Sequence, residues 1–387
     1  MSKKIIILGS TGSIGKTTIN LIRENKKNFN ILLLTTNNNY KEIYKQIKEF
    51  KVRNIIIKNK KYYLLLKKKL KNKKINVFKN FDEFYKNFNI KVDYTMCAIS
   101  GLEGLKPTLD AIKFSKKIAI ANKESLICGW NLIEKKLKKY GTEFIPVDSE
   151  HFSIWSLLNN SKNIEIEEII ITGSGGPFLK LALNKFKNIT PKKAITHPNW
   201  KMGKKISVDS STLMNKVFEV VEAQRIFNID FNKFKILIHP KSYVHAIVKF
   251  KNGITKILVH DTDMKIPIFN SIYSSKTKLI KTNKLDLEKL NSLDLKLPSA
   301  KRYPSITILK SLSSKISLYE TVLVSANDEL VNMFLNGEIK YTDIIINLKK
   351  ILRLNVFKKF KKKSPENHKE LIKLSNFVRL KTRSLCI

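Results

Sequence analysis

A short apolar run, Ile5 to Leu8, breaks into the glycine-rich stretch GSTGSIGKTT, and this junction constrains the fold more than any other feature of the chain. Two different phosphate-binding turns share its letters. Read as G-x-x-x-x-G-K-[ST], it ends correctly at Gly15, Lys16 and Thr17. Its first position then falls on Ser10, where a triphosphate-wrapping loop needs glycine. Nor does a later apolar run end in a convincing metal-holding Asp. Read from Gly9, the stretch is G-x-x-G-x-x-G, set between a strand and an amphipathic segment, Ile14 to Ile22. That is strand, tight turn and helix, with the free N–H groups of the helix start facing a dinucleotide pyrophosphate. On these residues alone a plain strand-to-helix turn stays open as the alternative.

The apolar runs that follow keep the same rhythm. Ile31 to Thr35, Asn54 to Ile57, Asp93 to Ala98, Lys117 to Ala121 and Glu143 to Val147 read as strands, with helical patterns such as Gly104 to Phe114 between them. Alternation of this kind predicts an α/β domain with a parallel, Rossmann-like sheet. A second region carries strands at Glu168 to Thr172, Phe234 to Ile238, His245 to Phe250 and Thr255 to His260, and a strong helix, Thr212 to Phe227. It reads as an α+β catalytic domain. A polar, leucine-spaced connection leads to amphipathic segments at Ser305 to Lys315, Tyr319 to Leu335 and Thr342 to Leu352, which predict a C-terminal helical bundle. The expected division is 1–147, 148–275, 276–302 and 303–387. Only two of the 13 glycines, Gly253 and Gly337, follow Gly203, so special backbone geometry, and with it function, belongs to the first half and the middle.

Composition narrows the classes of function. The formal charge is +42, but of 74 basic residues only seven are arginine, and the lysines spread from end to end beside abundant Asn and Ile. Such a spread matches compositional bias rather than a nucleic-acid footprint, which favours arginine forks interleaved with aromatics. Weak, salt-sensitive adhesion to polyanions is expected; a specific nucleic-acid partner is not. Cys97, Cys128 and Cys386 have no metal or redox spacing, so a reduced, cytoplasmic setting is expected. The apolar run after Lys3 and Lys4 is too short for a signal segment, no stretch could span a bilayer, and no transit peptide is expected.

Several stretches carry candidate chemistry. Asn122, Lys123 and Glu124 follow a strand at its carboxyl end, where ligands bind in open α/β sheets, although charged residues there also begin ordinary helices. In PVDSEH, Asp148 and Glu150 stand two apart after a strand and in extended geometry share a face. Such a pair suits a hard cation, Mg²⁺ or Mn²⁺, or else Asp148 or Ser149 caps a helix. TGSGGPF offers the Ser174 hydroxyl and successive N–H groups to an anion, or is a simple glycine turn. In HPNWKMGKKISVDSSTLMNKVFEVVEA, a helix beginning near Ser211 puts Asn215, Glu219 and Glu222 on one face and Lys216 three before Glu219. This is either a surface ion pair or a phosphate pocket of Ser210, Asn215 and Lys216, with Glu219 completing a metal site. The loop of His197, Trp200 and Met202 either covers a ligand or packs.

Taken together, GSTGSIG, ANKESL, PVDSEH, TGSGGPF, HPNWKMGKKISVDSSTLMNK and SANDELV resemble the 1-deoxy-D-xylulose 5-phosphate reductoisomerase family over essentially the whole chain. The resemblance implies a sugar phosphate substrate, 1-deoxy-D-xylulose 5-phosphate, rearranged and reduced to 2-C-methyl-D-erythritol 4-phosphate with NADPH and a divalent metal, in a homodimer. It places Thr11, Gly12, Ser13 and Ile14 at the NADPH pyrophosphate, Asn37, Asn38 and Asn39 at the adenosine 2′-phosphate, and Asn122, Glu124 and Gly203 at further cofactor contacts. It makes Asp148, Glu150 and Glu219 metal ligands and, with Lys123, the catalytic residues, places Glu150 and Glu219 also near substrate oxygens, sets Lys123 and Ser149 at the reacting end of the sugar, and assigns Ser174, His197, Ser210, Asn215 and Lys216 to the substrate pocket. Two positions depart from the pattern: Asn37-Asn38-Asn39 replaces Gly-Lys-Asn, and Val217 replaces a glycine. A semialdehyde-type dehydrogenase, which also opens on such a turn, would need a thiol nucleophile in a sequence setting that Cys97 and Cys128 lack.

Overall fold

The structure, a computed structural model, describes residues 2–71, 73–159, 165–200, 202–273 and 279–386. The chain packs as two compact units. The first is Met1–Ser125, Leu132–Asp148 and Met264–Ile280; the second is Leu126–Asn131, Ser149–Asp263 and Lys281–Ile387. The expected boundary between 275 and 276 lies outside the described residues.

The first unit is built on seven strands: β1 (Lys3–Leu8), β2 (Phe29–Thr36), β3 (Asn54–Ile57), β4 (Asn76–Phe78), β5 (Tyr94–Cys97), β6 (Lys117–Ile120) and β7 (Glu143–Pro146). They form one sheet in the order β4-β3-β2-β1-β5-β6-β7, and every pairing is parallel. Strands covered on both faces read as unbroken apolar runs, which is why Ile5, Ile6, Ile7 and Leu8 are all fully buried. The order reverses between β1 and β5, the switch point outside which such sheets bind ligands. The Lys265–Ile272 helix belongs to this unit: it packs on the Ser13–Glu24 helix, burying Ile268, Phe269 and Ile272, and Ser271 hydrogen-bonds the Tyr94 hydroxyl at 2.7 Å. Each such apolar side chain contributes about 1.5–3 kcal/mol.

The second unit centres on β8 (Ile166–Gly173), β9 (Phe234–Ile238), β10 (Val244–Phe250) and β11 (Thr255–Val259), in the order β11-β10-β8-β9. β8 runs parallel to β9 and antiparallel to β10, an α+β arrangement. The Met214–Phe227 helix is buried along most of its length and packs Val220 and Ala223 into the sheet's core with Ile169, Ile171 and Ala246. Its buried Arg225 donates to the Ser314 carbonyl at 2.6 Å and to Glu320 at 2.8 Å, which ties it to the C-terminal Tyr319–Leu335 helix.

Three local readings change. The helix expected over Thr212 to Phe227 is preceded by a separate one, Lys204–Ser211, because Leu213 turns left-handed at φ +59° and breaks the chain between them. Ser210 therefore lies in the last turn of one helix, not at the N-terminus of the next. Ser305 to Lys315 is instead a 3₁₀ helix, Pro304–Ser311, started by a proline. A further helix, His368–Cys386, follows; it buries Leu371, Leu374, Ser375, Val378 and Thr382, a stripe of helical period, and packs on Tyr319–Leu335.

Candidate active site

Backbone geometry defines the first-unit turn. Gly9 sits at φ +82°, and a Cβ there would lie 2.6 Å from the Ala98 carbonyl oxygen. A Cβ on Gly15 would meet the Gly9 oxygen at 2.2 Å, so these two positions accept only glycine. Gly12 has an ordinary φ of −78° and is the N-cap of the Ser13–Glu24 helix, with no side chain closing the helix end. The N–H groups at Ser13 and Ile14 therefore stay open to an anion, the fit a pyrophosphate requires. Thr35 holds the turn from β2 through its hydroxyl on Gly9 N (2.8 Å), and Thr11 pairs with Thr36 at 2.7 Å. Lys16 is exposed on the helix surface.

Asn37, Asn38 and Asn39 are exposed at the end of β2. Asn39 caps the Tyr40–Phe50 helix by accepting from Glu42 N, and Asn38 accepts from Asn59 Nδ2 at 3.0 Å. Asn122 is buried and fully engaged. It caps the Lys123–Tyr140 helix at Ser125 N (2.7 Å), while its amide donates to the carbonyls of Ile99 and Gly101. Its side chain thus shapes the loop beyond β5. Lys123 and Glu124 open that helix half-buried, and the Lys123 ammonium pairs with Asp148 at the end of β7.

Asp148 closes the first unit and Ser149 opens the second, so two steps of covalent chain set Asp148 beside Glu150. The extended geometry expected there is not adopted. The Ser149–Asn159 helix begins between the two residues and puts Glu150 in its first turn, where the helix dipole favours a carboxylate. Ser149 donates to Glu150 at 2.5 Å. Glu219, on the Met214–Phe227 helix, completes the group: carboxylate oxygens of Asp148, Glu150 and Glu219 all lie within 4.8 Å of one another.

The Lys216–Glu219 pair is buried rather than on the surface, and Lys216 also binds Glu150. Burial opposes the ammonium, but Glu150 and Glu219 outweigh it and raise the Lys216 pKa. Asn215 donates to the other Glu219 oxygen at 2.5 Å. Three carboxylates answered by two ammonium groups, with no thiolate among the donors, fit a hard divalent cation.

Ser174, just beyond β8, meets His197 at 3.0 Å. The His197 Nδ1 accepts from the backbone N–H of Asn199 (3.1 Å) and Trp200 (2.9 Å), so the ring proton sits on Nε2 and is donated to Ser174 Oγ. Burial first, then the Lys216 charge, pushes the His197 pKa down to about 4. Ser174 Oγ also accepts from Gly176 N (3.1 Å), which leaves its own O–H to donate to a ligand. Gly176, at φ +69°, lets this turn press against the Ser210–Ser211 backbone, where a Cβ would lie 2.7 Å from Ser211 Cα. Gly173 gives way to the Lys216 stem. Ser210 is half-buried, and Gly203 is the exposed N-cap of its helix. The Trp200 ring stands edge-on to His245, which stacks on His260 at 3.7 Å.

Motif reading did not single out His151. Its Nε2 donates to the Glu219 carbonyl at 2.8 Å and its Nδ1 lies 3.2 Å from Glu222, which locks the two carboxylate-bearing helices together. Only its place beside Glu150 in PVDSEH hinted at such a role.

Three family models match this chain: 1-deoxy-D-xylulose 5-phosphate reductoisomerase over residues 5–129, its C-terminal domain over 144–227, and the DXP reductoisomerase C-terminal domain over 260–381. A 1-deoxy-D-xylulose 5-phosphate reductoisomerase of Pelagibacter ubique is 57% identical over 387 residues, all of both chains. One of Sulfurihydrogenibium is 38% identical over 88% of each. Among solved structures, the Zymomonas mobilis enzyme in complex with NADPH superimposes with a TM-score of 0.88 at 32% identity, covering 100% of this chain and 99% of that one. A DOX-P reductoisomerase in complex with NADPH, fosmidomycin and magnesium gives 0.89 at 29% identity, covering 99% and 98%.

Proposed function

The chain belongs to the 1-deoxy-D-xylulose 5-phosphate reductoisomerase family, and from that membership we propose how its residues share the work. It is an NADPH-dependent oxidoreductase that converts 1-deoxy-D-xylulose 5-phosphate to 2-C-methyl-D-erythritol 4-phosphate in the non-mevalonate isoprenoid pathway, with a divalent metal. When bound, the metal supplies Lewis acidity at the substrate oxygens and NADPH supplies the hydride.

Asp148, Glu150 and Glu219 hold the metal. The single observation carrying this assignment is their convergence to within 4.8 Å, answered by the Lys123 and Lys216 ammonium groups. Lys123 sits where negative charge develops on the reacting oxygens, stabilises it and moves a proton there, with Ser149 orienting the same end of the sugar. Ser174, His197, Ser210, Asn215 and Lys216 take the phosphate. Neutral His197 fixes Ser174 so that its O–H faces outward, and this remote binding energy holds the reacting carbons in place. The loop of His197, Trp200 and Met202 excludes water.

Thr11, Gly12, Ser13 and Ile14 bind the NADPH pyrophosphate, Asn37, Asn38 and Asn39 meet the adenosine 2′-phosphate, and Asn122, Glu124 and Gly203 complete the cofactor site. The work divides as 1–147 for the cofactor, 148–275 for metal and substrate, 276–302 as connection and 303–387 as helical support, except that the Lys265–Ile272 helix packs with the first unit. An all-oxygen donor set suits Mn²⁺ as well as Mg²⁺. We place the enzyme in the cytoplasm, where its free cysteines stay reduced, as a homodimer whose mass in solution sedimentation would report.

The test is NADPH consumption at 340 nm with the ketose phosphate and Mg²⁺ or Mn²⁺. Glu219→Gln should weaken metal binding by about 10–100-fold and lower kcat. Wild-type metal titration of that variant, by activity or calorimetry, would remove Glu219 from the site.

A further inference from the structure

Asp209 is a carboxylate that this chemistry leaves unused. It is 2% exposed and lies in the last turn of the Lys204–Ser211 helix, an electronegative end that disfavours an anion. Burial pushes its carboxyl up to about 6. A buried carboxylate in so unfavourable a place needs partners, and they come from far along the chain. Asn327, fully buried, donates from Nδ2 to Asp209 Oδ1 at 2.8 Å. Lys205, one turn earlier, lies 3.4 Å from Asp209 and 2.7 Å from Asp328, which Arg379 in turn holds at 2.8 Å. Asn327 and Asp328 are the centre of SANDELV, on the Tyr319–Leu335 helix.

The residue after Asp209 is Ser210. Its segment has little intrinsic order: the helix stops at Ser211, and Leu213 adopts a left-handed conformation that costs a non-glycine residue about 1–2 kcal/mol. Contacts from outside the segment hold it, among them a hydrogen bond between Tyr341 and the Ser211 side chain. Gly176 packs under the Ser210–Ser211 backbone, the Ser305 hydroxyl donates to the Thr212 carbonyl at 2.6 Å, and Asn327 grips Asp209. Tyr341 acts through the side chain after Ser210, and Asn327 through the side chain before it.

We propose that Asn327 and Asp209 are positioning residues: by holding the Asp209 carboxylate, the Asn327 amide sets the Ser210 hydroxyl where it meets the substrate phosphate. SANDELV, which carries none of the proposed catalytic groups, thereby acts on substrate recognition from the C-terminal region. The inference rests on the reading of Ser210 as a phosphate ligand.

The experiment is a kinetic cycle on the full enzyme with Ser210→Ala, Asn327→Ala and their combination, each checked for its melting temperature. Ser210→Ala should raise KM about tenfold, as loss of a hydrogen bond to a charged group does. Asn327→Ala should raise KM roughly threefold or more with kcat within about twofold, and should add nothing once Ser210 is Ala. The exchange Asp209→Asn with Asn327→Asp restores the hydrogen bond with donor and acceptor reversed, and should recover KM. It also decides the matter if Asn327→Ala does not fold, since a folded exchange variant with raised KM overturns the inference. Equal factors for Asn327→Ala with and without the Ser210 hydroxyl overturn it alone. An unchanged KM in Ser210→Ala overturns the phosphate reading, and the inference with it.

Discussion

Lys216 donates to Glu219 at 2.6 Å from one turn earlier on the same helix, with both side chains nearly sealed from solvent. Because Lys216 also binds Glu150, its charge stabilises two buried carboxylates at once. Lys216→Ala leaves both without their ammonium partner, a change of the kind that costs roughly 3–5 kcal/mol. We expect a large drop in melting temperature without metal and a larger recovery on adding Mg²⁺ than the wild type shows. Melting curves with and without Mg²⁺ check this, and equal Mg²⁺ increments in the two proteins would contradict it.

The glycines of the nucleotide turn separate backbone need from ligand need. Gly9→Ala forces a Cβ to 2.6 Å from the Ala98 oxygen at φ +82°, which should cost about 1–3 kcal/mol of stability as well as NADPH affinity. At Gly12 a Cβ would lie 3.5 Å from its nearest neighbour at an ordinary φ. Gly12→Ala should therefore change stability by no more than about 0.5 kcal/mol while weakening NADPH, since the new methyl stands where the pyrophosphate approaches. Urea melts paired with NADPH titration by fluorescence distinguish the two variants. Loss of stability in Gly12→Ala without loss of NADPH would reverse the assignment.

What the sequence made legible follows from physical range. The strands of the first unit stood out because burial on both faces makes Ile5 to Leu8 or Ile55 to Ile57 continuously apolar. The Lys216–Glu219 contact was legible as an i, i+3 spacing, but its burial was not, since that depends on Gly173 yielding to the lysine stem. The helix break at Leu213 carries no glycine or proline to announce it; tertiary contacts hold that residue left-handed. Asp209 with Asn327, and Arg225 with Glu320, pair across 118 and 95 residues, a separation at which no local period survives. His151 escaped notice because one of its partners is a main-chain carbonyl.

Acid should act on this protein through groups of opposite sign. His197 and His245, pushed by burial to about 4 and about 3, stay neutral in the folded chain while an unfolded histidine protonates near 6.5. The unfolded state then binds more protons, so their contribution to stability falls as pH drops below about 6.5. Asp209, raised to about 6, binds its proton in the folded chain before the unfolded chain does, so its contribution rises as pH drops from about 6 towards 3.8. His197→Asn should flatten the loss of stability between pH 7 and 5, and Asp209→Asn should steepen it. Melting temperatures across that range decide between these slopes; parallel curves for all three proteins would exclude both groups.

Cofactor choice depends on the turn after β2. Asn38 is exposed and its side chain accepts a hydrogen bond from Asn59, a bond itself exposed, so a lysine there disturbs little of the fold. If the adenosine 2′-phosphate meets this turn, Asn38→Lys adds a charge-assisted hydrogen bond, worth about 1.5 kcal/mol at the low end of the usual range because the site faces water. That corresponds to roughly a tenfold rise in the ratio of kcat/KM for NADPH over NADH. The gain should shrink at high salt, where the Debye length falls to about 3 Å at 1 M. Steady-state kinetics with both cofactors at low and high salt measure it, and a ratio unmoved by the substitution would place the 2′-phosphate away from Asn37 to Asn39.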